Sequence, residues 1–337
     1  MDPTRRQFAA SAAALALAPA GTALAQARVA PIVIARGGAD GGWPAQSAGA
    51  YAKAIEEGAD FLEAGLVSSK DGHLVVRQDD ELSASTDVAA RPDFAERRAT
   101  RVIGGETREG WFAEDFTLAE LKSLNLPLPP HQRRPDGATR PVILTLEEVI
   151  ALARAGSVSQ ARVVGIYADL LHADYFTELG LPLEPRLADL IRVQGYESPA
   201  AAMFVASEQL AALASVAQLV RTRRVLRTPG AAALTPDALR ALASRVFAIA
   251  PQADQALDLA NPHAPTPSGL VQAAHDAGLR VHVWAGGAGR PFPPPPFRGG
   301  DERRLLTDLF AAGADGVCAD LASPAVRARG DATSRKT

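Results

Sequence analysis

From Pro31 onward the chain alternates short, β-branched apolar runs with longer Ala/Leu-rich stretches whose apolar residues recur every three or four positions. The first pattern reads as buried strand and the second as amphipathic helix. A first strand is predicted at Ile32–Ala35. A helix follows at Ser47–Gly58, because Tyr51, Ala54 and Ile55 share one face and Gly58 supplies a stop. Asp60–Val67 is the second strand, Lys70-Asp71-Gly72 a tight turn, and Leu74–Gln78 a returning hairpin arm. Further strands are predicted at Ala161–Ala168, Ala202–Ala206, Gln218–Thr222, Val246–Ala250, Leu279–Trp284 and Gly316–Ala319. Helical patterns lie between most of them, among them Thr235–Ser244, opened by a Thr-Pro cap signal, and Pro267–Ala277. Strands alternating with helices imply a parallel sheet. Eight such repeats in roughly 300 residues fit a TIM (β/α)8 barrel. A doubly wound sheet is the alternative, but no Gly-rich phosphate fingerprint follows the first strand in the required form.

The stretch 88–140 interrupts this alternation after the hairpin. It carries Arg91, Arg97, Arg98, Arg101, Arg108, Arg133 and Arg134 with Trp111 and Phe112, and one predicted helix at Thr117–Leu124. In a barrel, so long a loop lies over the catalytic face. Its arginines either guide an anionic ligand or form a solvated cap, and the second use of charge runs is the commoner. Phe292-Pro-Pro-Pro-Pro-Phe297 is a stiff polyproline segment placed at the rim. Residues 328–337 are polar and are expected to be disordered.

Composition narrows the class. Apolar residues make up 47% of the chain and formal net charge is −3, so no strong attraction to nucleic acid or anionic lipid is implied. The single cysteine, Cys318, excludes an intrachain disulfide framework and a cysteine-rich metal site. Thr4-Arg5-Arg6-Gln7-Phe8 is a twin-arginine pattern, followed by an Ala/Leu-rich stretch too short to span a bilayer and by Ala23-Leu24-Ala25, a small-x-small cleavage site. Residues 1–25 are therefore expected to direct twin-arginine export, leaving a periplasmic or secreted chain from Gln26 with no transmembrane segment. Removing them leaves 33 basic and 37 acidic residues, a charge of −4.

Two segments carry the chemistry. Ile32-Val-Ile-Ala-Arg-Gly-Gly38 and Gly58-Ala-Asp-Phe-Leu-Glu-Ala-Gly-Leu-Val-Ser-Ser-Lys-Asp-Gly-His-Leu-Val-Val-Arg-Gln-Asp79 together resemble the glycerophosphodiester phosphodiesterase family, in its longer periplasmic form. That family writes His-Arg-Gly, then Gly-Ala-Asp-x-x-Glu-x-Asp, then Lys-Asp-Gly-x-Leu-Val-Val-x-His-Asp. Asp115–Leu124, Leu144–Val149, Gly165-Ile-Tyr-Ala-Asp169, Val281-His-Val-Trp284 and Gly316-Val-Cys-Ala-Asp320 are similar to later blocks in the same order. The resemblance spans residues 26–327 and implies a TIM barrel with its site at the strand ends.

The resemblance also implies a metal-assisted attack on a phosphodiester. Carboxylates hold Ca²⁺ or Mg²⁺, two histidines move protons, and an arginine binds the phosphate. Here Arg36 stands at the phosphate-binding position, Trp284 at an aromatic substrate wall, Glu63 at the first metal carboxylate, and Asp169, one methylene shorter, at the third. The family histidines are replaced by Ala35 and Gln78, and the second metal carboxylate by Gly65. Neither Ala nor Gln transfers protons, and losing one such group costs roughly 10²–10⁴-fold in rate. The residues therefore favour a catalytically degenerate protein that binds a phosphodiester, phosphorylated or polyol ligand, with a weakened cation site at Glu63 and Asp169. Pairing of Glu63 with Arg36, needing no metal, is equally open. The alternatives are an active metal-dependent phosphodiesterase yielding sn-glycerol 3-phosphate and an alcohol, or a repurposed hydrolase using His172, which follows Asp169 by three residues.

Overall fold

The computed structural model describes residues 30–38, 42–128, 140–228, 234–261, 264–286 and 302–334. Residues 1–25, expected to direct export, the Pro-rich run at 292–297, Arg133 and Arg134 lie outside them. Eight parallel strands form the central sheet: β1 (Ile32–Arg36), β2 (Phe61–Ser68), β3 (Gly165–Leu170), β4 (Met203–Ser207), β5 (Arg223–Thr228), β6 (Ala248–Pro251), β7 (Arg280–Ala285) and β8 (Gly316–Ala319). Each pairs with its sequence neighbour, and β1 pairs with both β2 and β8, which closes the barrel. Closure leaves the parallel set without a free edge.

Both faces of every strand are covered, so the strands are apolar almost throughout. Inward-facing Ile34, Tyr167, Phe204, Ala206, Val225, Ala250 and Cys318 fill the barrel. Outward-facing residues such as Val33, Ala35, Leu62, Ile166 and Val205 pack in the larger apolar cluster that includes the surrounding helices. Asp60 fixes the start of β1: its Oδ2 accepts the Val33 N–H at 2.7 Å and an Arg329 guanidinium N–H at 2.5 Å.

Three boundaries differ from those predicted. The fifth strand is Arg223–Thr228, not Gln218–Thr222, because the helix Leu210–Leu219 continues into that segment. The true strand holds Arg223, Arg224 and Arg227, and so lacks the apolar signature of its neighbours. The third strand begins at Gly165, since the helix Leu146–Ser159 runs on and Ala161 turns the chain with φ of 48°. Of the tail expected to be disordered, residues 335–337 lie outside the described residues, and residues 328–334 instead continue a helix, Ala322–Ser334. Ala322, Ala325, Ala328 and Ala332 bury one face of it, a stripe of small residues that an apolar-pattern reading passes over.

Between β2 and β3 the chain returns along β2 as a short antiparallel strand, Leu74–Val76, and then builds the insertion. The insertion contains a hairpin, Ala99–Ile103 with Glu106–Gly110, and the helix Leu118–Ser123, capped by a Thr117/Glu120 box. Among the described residues its arginines pair internally: Arg91 with Asp87, Arg97 with Glu120, Arg98 with Glu109, and Arg101 with Glu114 and Asp115. These four hold the cap together; they are not a free basic surface.

The helix Leu146–Ser159 starts from the same kind of box, the Thr145 N–H donating to Glu148 Oε2 at 2.8 Å. Thr145→Ala should cost about 1 kcal/mol, read as a lower urea midpoint with an unchanged m-value.

Candidate functional site

Side chains alternate across a strand, so the residue two positions past an interior one also faces the barrel axis. Past Ile34, Phe61, Tyr167, Ala206, Val225 and Cys318 come Arg36, Glu63, Asp169, Glu208, Arg227 and Asp320. The C-terminal mouth of the barrel is therefore a ring of charge, with Trp284 on β7 beside it. Beneath it lies an aromatic floor, with Phe61 and Phe204 rings 4.9 Å apart and Tyr167 and Trp284 rings 6.2 Å apart. Charges over such a floor are poorly solvated and must be compensated locally.

Arg227 provides most of that compensation. Its Nη1 donates to Asp169 Oδ2 at 2.6 Å, its Nη2 lies 2.9 Å from Glu208 Oε1, and its guanidinium carbon sits 4.3 Å from the Trp284 ring centroid. Arg36 donates from Nε to Asp320 Oδ1 at 2.5 Å, so its partner is Asp320, and not Glu63, the pairing the sequence left open. Glu63 instead accepts the Gly37 N–H at 2.8 Å, where the chain turns with φ of 64°.

These surroundings set the proton affinities. Burial first, and the Asp169 charge second, push the Glu63 carboxyl up to about 7 against the pull of Arg36 and Arg227. Burial also raises Asp169, with Arg227 opposing. Arg227 and Arg36 stay firmly cationic because their carboxylate partners outweigh burial.

The positions expected to move protons are neutral and differently placed. Ala35 faces away from the axis, fully buried in the layer between strands and helices. Gln78 is at the mouth: its amide nitrogen would lie 2.6 Å from a Cβ added at Gly37. Gln46, also next to Gly37, is buried with φ of 60°, and neither its Nε2 nor its Oε1 has a hydrogen-bond partner among the described residues. Trp284 Nε1, Tyr167 Oη and Asp169 Oδ1 are likewise buried and unpartnered among them.

The implied cation fits these residues poorly. Ca²⁺ needs six or more oxygens at roughly 2.3–2.6 Å. Asp169 has one carboxylate oxygen committed to Arg227, and Gly65 supplies none. A Cβ at Gly65 would meet the Arg77 carbonyl oxygen at 2.2 Å, because the returning strand crosses there with the Arg77 N–H donating to the Gly65 carbonyl at 2.8 Å. Of the two carboxylates of the weak metal site expected from the sequence, Glu63 and Asp169, the second already holds a guanidinium N–H on one oxygen.

His172 sits in a second group. Its φ of 46° is rare for a residue with a side chain. Asp79, Asp80 and His172 each place a ligand atom within 4.8 Å of the others, a set able to hold a metal. Arg108 already bridges its carboxylates, at 2.5 Å from Asp79 and 3.0 Å from Asp80. Burial and the neighbouring Asp79 raise Asp80 to about 8, while burial and Arg108 lower His172. The sequence reading missed Asp80, Glu208 and Arg227, and named Arg108 only among the insertion's arginines; only the two-residue strand period past Val225, with the right strand boundary, points to Arg227.

A closed (β/α)8 barrel with a charged ring at its strand ends has the architecture of enzymes that work at that face. The Glycerophosphoryl diester phosphodiesterase family matches residues 37–320, and the chain belongs to this family. A glycerophosphodiester phosphodiesterase of Arabidopsis thaliana is 29% identical over 278 residues, covering 75% of this chain and 74% of the relative. One of Haemophilus influenzae is 27% identical over 179 residues, covering 49% of this chain and 46% of the relative. Among solved structures, an Oleispira antarctica phosphodiesterase in complex with the product sn-glycerol-3-phosphate superposes with a TM-score of 0.60 at 19% identity, covering 88% of this chain and 96% of that one. A glycerophosphodiester phosphodiesterase from Agrobacterium tumefaciens gives 0.58 at 17% identity, covering 88% and 99%. At these identities the structural likeness establishes the fold.

Two predictions follow from the geometry. Gly65→Asp, which re-creates the family residue, should lower stability by about 1–3 kcal/mol by forcing the returning strand off β2; an unchanged thermal midpoint would contradict this. Because the Glu63 pKa rises on folding from 4.5 to about 7, its contribution is fully present below 4.5 and lost as pH climbs through 7. Relative to Glu63→Gln, the wild type should therefore lose roughly 3 kcal/mol across that window, measured by denaturant unfolding at each pH.

Proposed function

We propose that this protein binds a phosphorylated or polyol ligand at its barrel mouth without hydrolysing it. The observation that carries this reading is the neutral side chain at each position where the family resemblance calls for a proton-transferring histidine: Ala35 turned into the outer layer, and Gln78 over Gly37. The mouth keeps features suited to holding such a ligand. The Arg36 side chain remains 19% exposed there, and Trp284 Nε1 and the Gln46 amide have no hydrogen-bond partner among the described residues. The product complex of the Oleispira antarctica structure makes sn-glycerol 3-phosphate the first ligand to try. Export of the chain through its twin-arginine pattern belongs to the same proposal, since it would place the mouth where extracytoplasmic phosphodiesters and their products are met.

A second reading, a hydrolase with a relocated acid–base group, draws on the Asp79–Asp80–His172 cluster beside the insertion. It requires His172 to exchange protons with a substrate at the mouth, from under a hairpin that covers it near Gly104.

Assays of glycerophosphocholine and glycerophosphoethanolamine, with and without Ca²⁺ or Mg²⁺, separate the two. The expected result is no turnover, together with a rise in thermal midpoint on adding sn-glycerol 3-phosphate. A hundredfold excess over Kd adds about 2.7 kcal/mol. Arg36→Met should abolish that rise. Turnover by the wild type that disappears in His172→Ala would instead establish the hydrolase.

A further inference from the structure

We propose that Arg227 is a resident replacement for the family's divalent cation: its guanidinium occupies the carboxylate cluster of the mouth and keeps Ca²⁺ and Mg²⁺ out. This inference does not depend on whether the protein turns over a substrate.

The argument begins with position. Asp169 stands where the resemblance places a metal carboxylate, and in this chain one of its oxygens is 2.6 Å from Arg227 Nη1. The second arm of the same guanidinium is 2.9 Å from Glu208. A planar fork that bridges a carboxylate on β3 and one just past the end of β4 does the mechanical work of a bridging ion. The face of the guanidinium rests 4.3 Å from the Trp284 ring centroid, so the side chain is also held from β7. Arg227 is only 10% exposed and Asp169 1% exposed, so neither is readily hydrated if the pair opens.

Charge makes the replacement exclusive. A divalent ion bound to Asp169 would lie within a few ångströms of a buried guanidinium that cannot release its proton. To enter, it must expel Arg227, which strands that charge over the aromatic floor. The loss of the second family carboxylate at Gly65 is consistent with this arrangement: a site already neutralised by an internal cation needs fewer anions.

The test compares cation binding by the wild type, Asp169→Asn, Arg227→Met and Arg227→Met/Asp169→Asn. Thermal midpoints are measured in chelator and in Ca²⁺, and Mn²⁺ binding is followed by electron paramagnetic resonance. Wild type should show no cation response that Asp169→Asn removes. Arg227→Met should have a lowered midpoint in chelator, recover it in Ca²⁺, and bind Mn²⁺ at least on the order of tenfold more tightly than wild type; the double variant should lose that gain. A wild-type response that Asp169→Asn abolishes overturns the proposal, because it places an ion beside Arg227. So does a folded Arg227→Met that gains no Asp169-dependent binding. If Arg227→Met folds in neither condition, Arg227→Gln/Glu208→Gln leaves one fewer uncompensated carboxylate and makes the same comparison. Signal from Asp79, Asp80 and His172 is recognised by its loss in Asp79→Asn, and is removed by working in that background.

Discussion

The buried fork of Arg227 between Asp169 and Glu208 is the interaction on which the barrel mouth depends. An eight-stranded parallel barrel brings its inward-facing strand-end residues together over a water-poor floor. In this chain most of those residues are charged. Such a cluster is stable only if every carboxylate meets a cation or keeps a proton. Asp169 meets Arg227, Arg36 meets Asp320, and Glu63, with one backbone N–H and no ion pair of its own, holds its proton into the neutral range.

The same economy runs through the insertion. Its arginines look like a basic surface when written in a line, but the hairpin and short helices fold Arg91, Arg97, Arg98 and Arg101 onto Asp87, Glu109, Glu114, Asp115 and Glu120. Arg108 extends this pattern to the barrel itself by bridging Asp79 and Asp80. Surface ion pairs contribute little individually. Here the partly buried ones set the shape of the cap over His172 and thereby the access to that side of the mouth.

Membership of the Glycerophosphoryl diester phosphodiesterase family and the architecture of the mouth lead to different expectations of the chemistry. A shared barrel conveys where a ligand sits, since the strand ends are the only place where loops and inward side chains converge. It does not convey proton transfer, which needs titratable groups at particular atoms. Gly65 illustrates the distance between the two: the returning strand has closed onto the space an aspartate would need, so the altered residue has become part of the backbone packing.

Much of this was legible in the chain itself. Alternation of apolar runs with helical periods determined the barrel, because a parallel sheet must bury both faces. The resemblance to the family's motifs placed Arg36, Glu63, Gln78, Asp169 and Trp284 at the strand ends. The fifth strand was not legible, because three arginines in Arg223–Thr228 break the apolar signal, and with it went Arg227. The last helix was missed for the opposite reason, its buried face being made of alanines. Which charge meets which was decided only by tertiary structure: Arg36 and Asp320 are 284 residues apart, and Asp169 and Arg227 are 58 apart. Sequence specifies the strand on which a charge stands, but its partner depends on barrel closure, which sets distance and burial together.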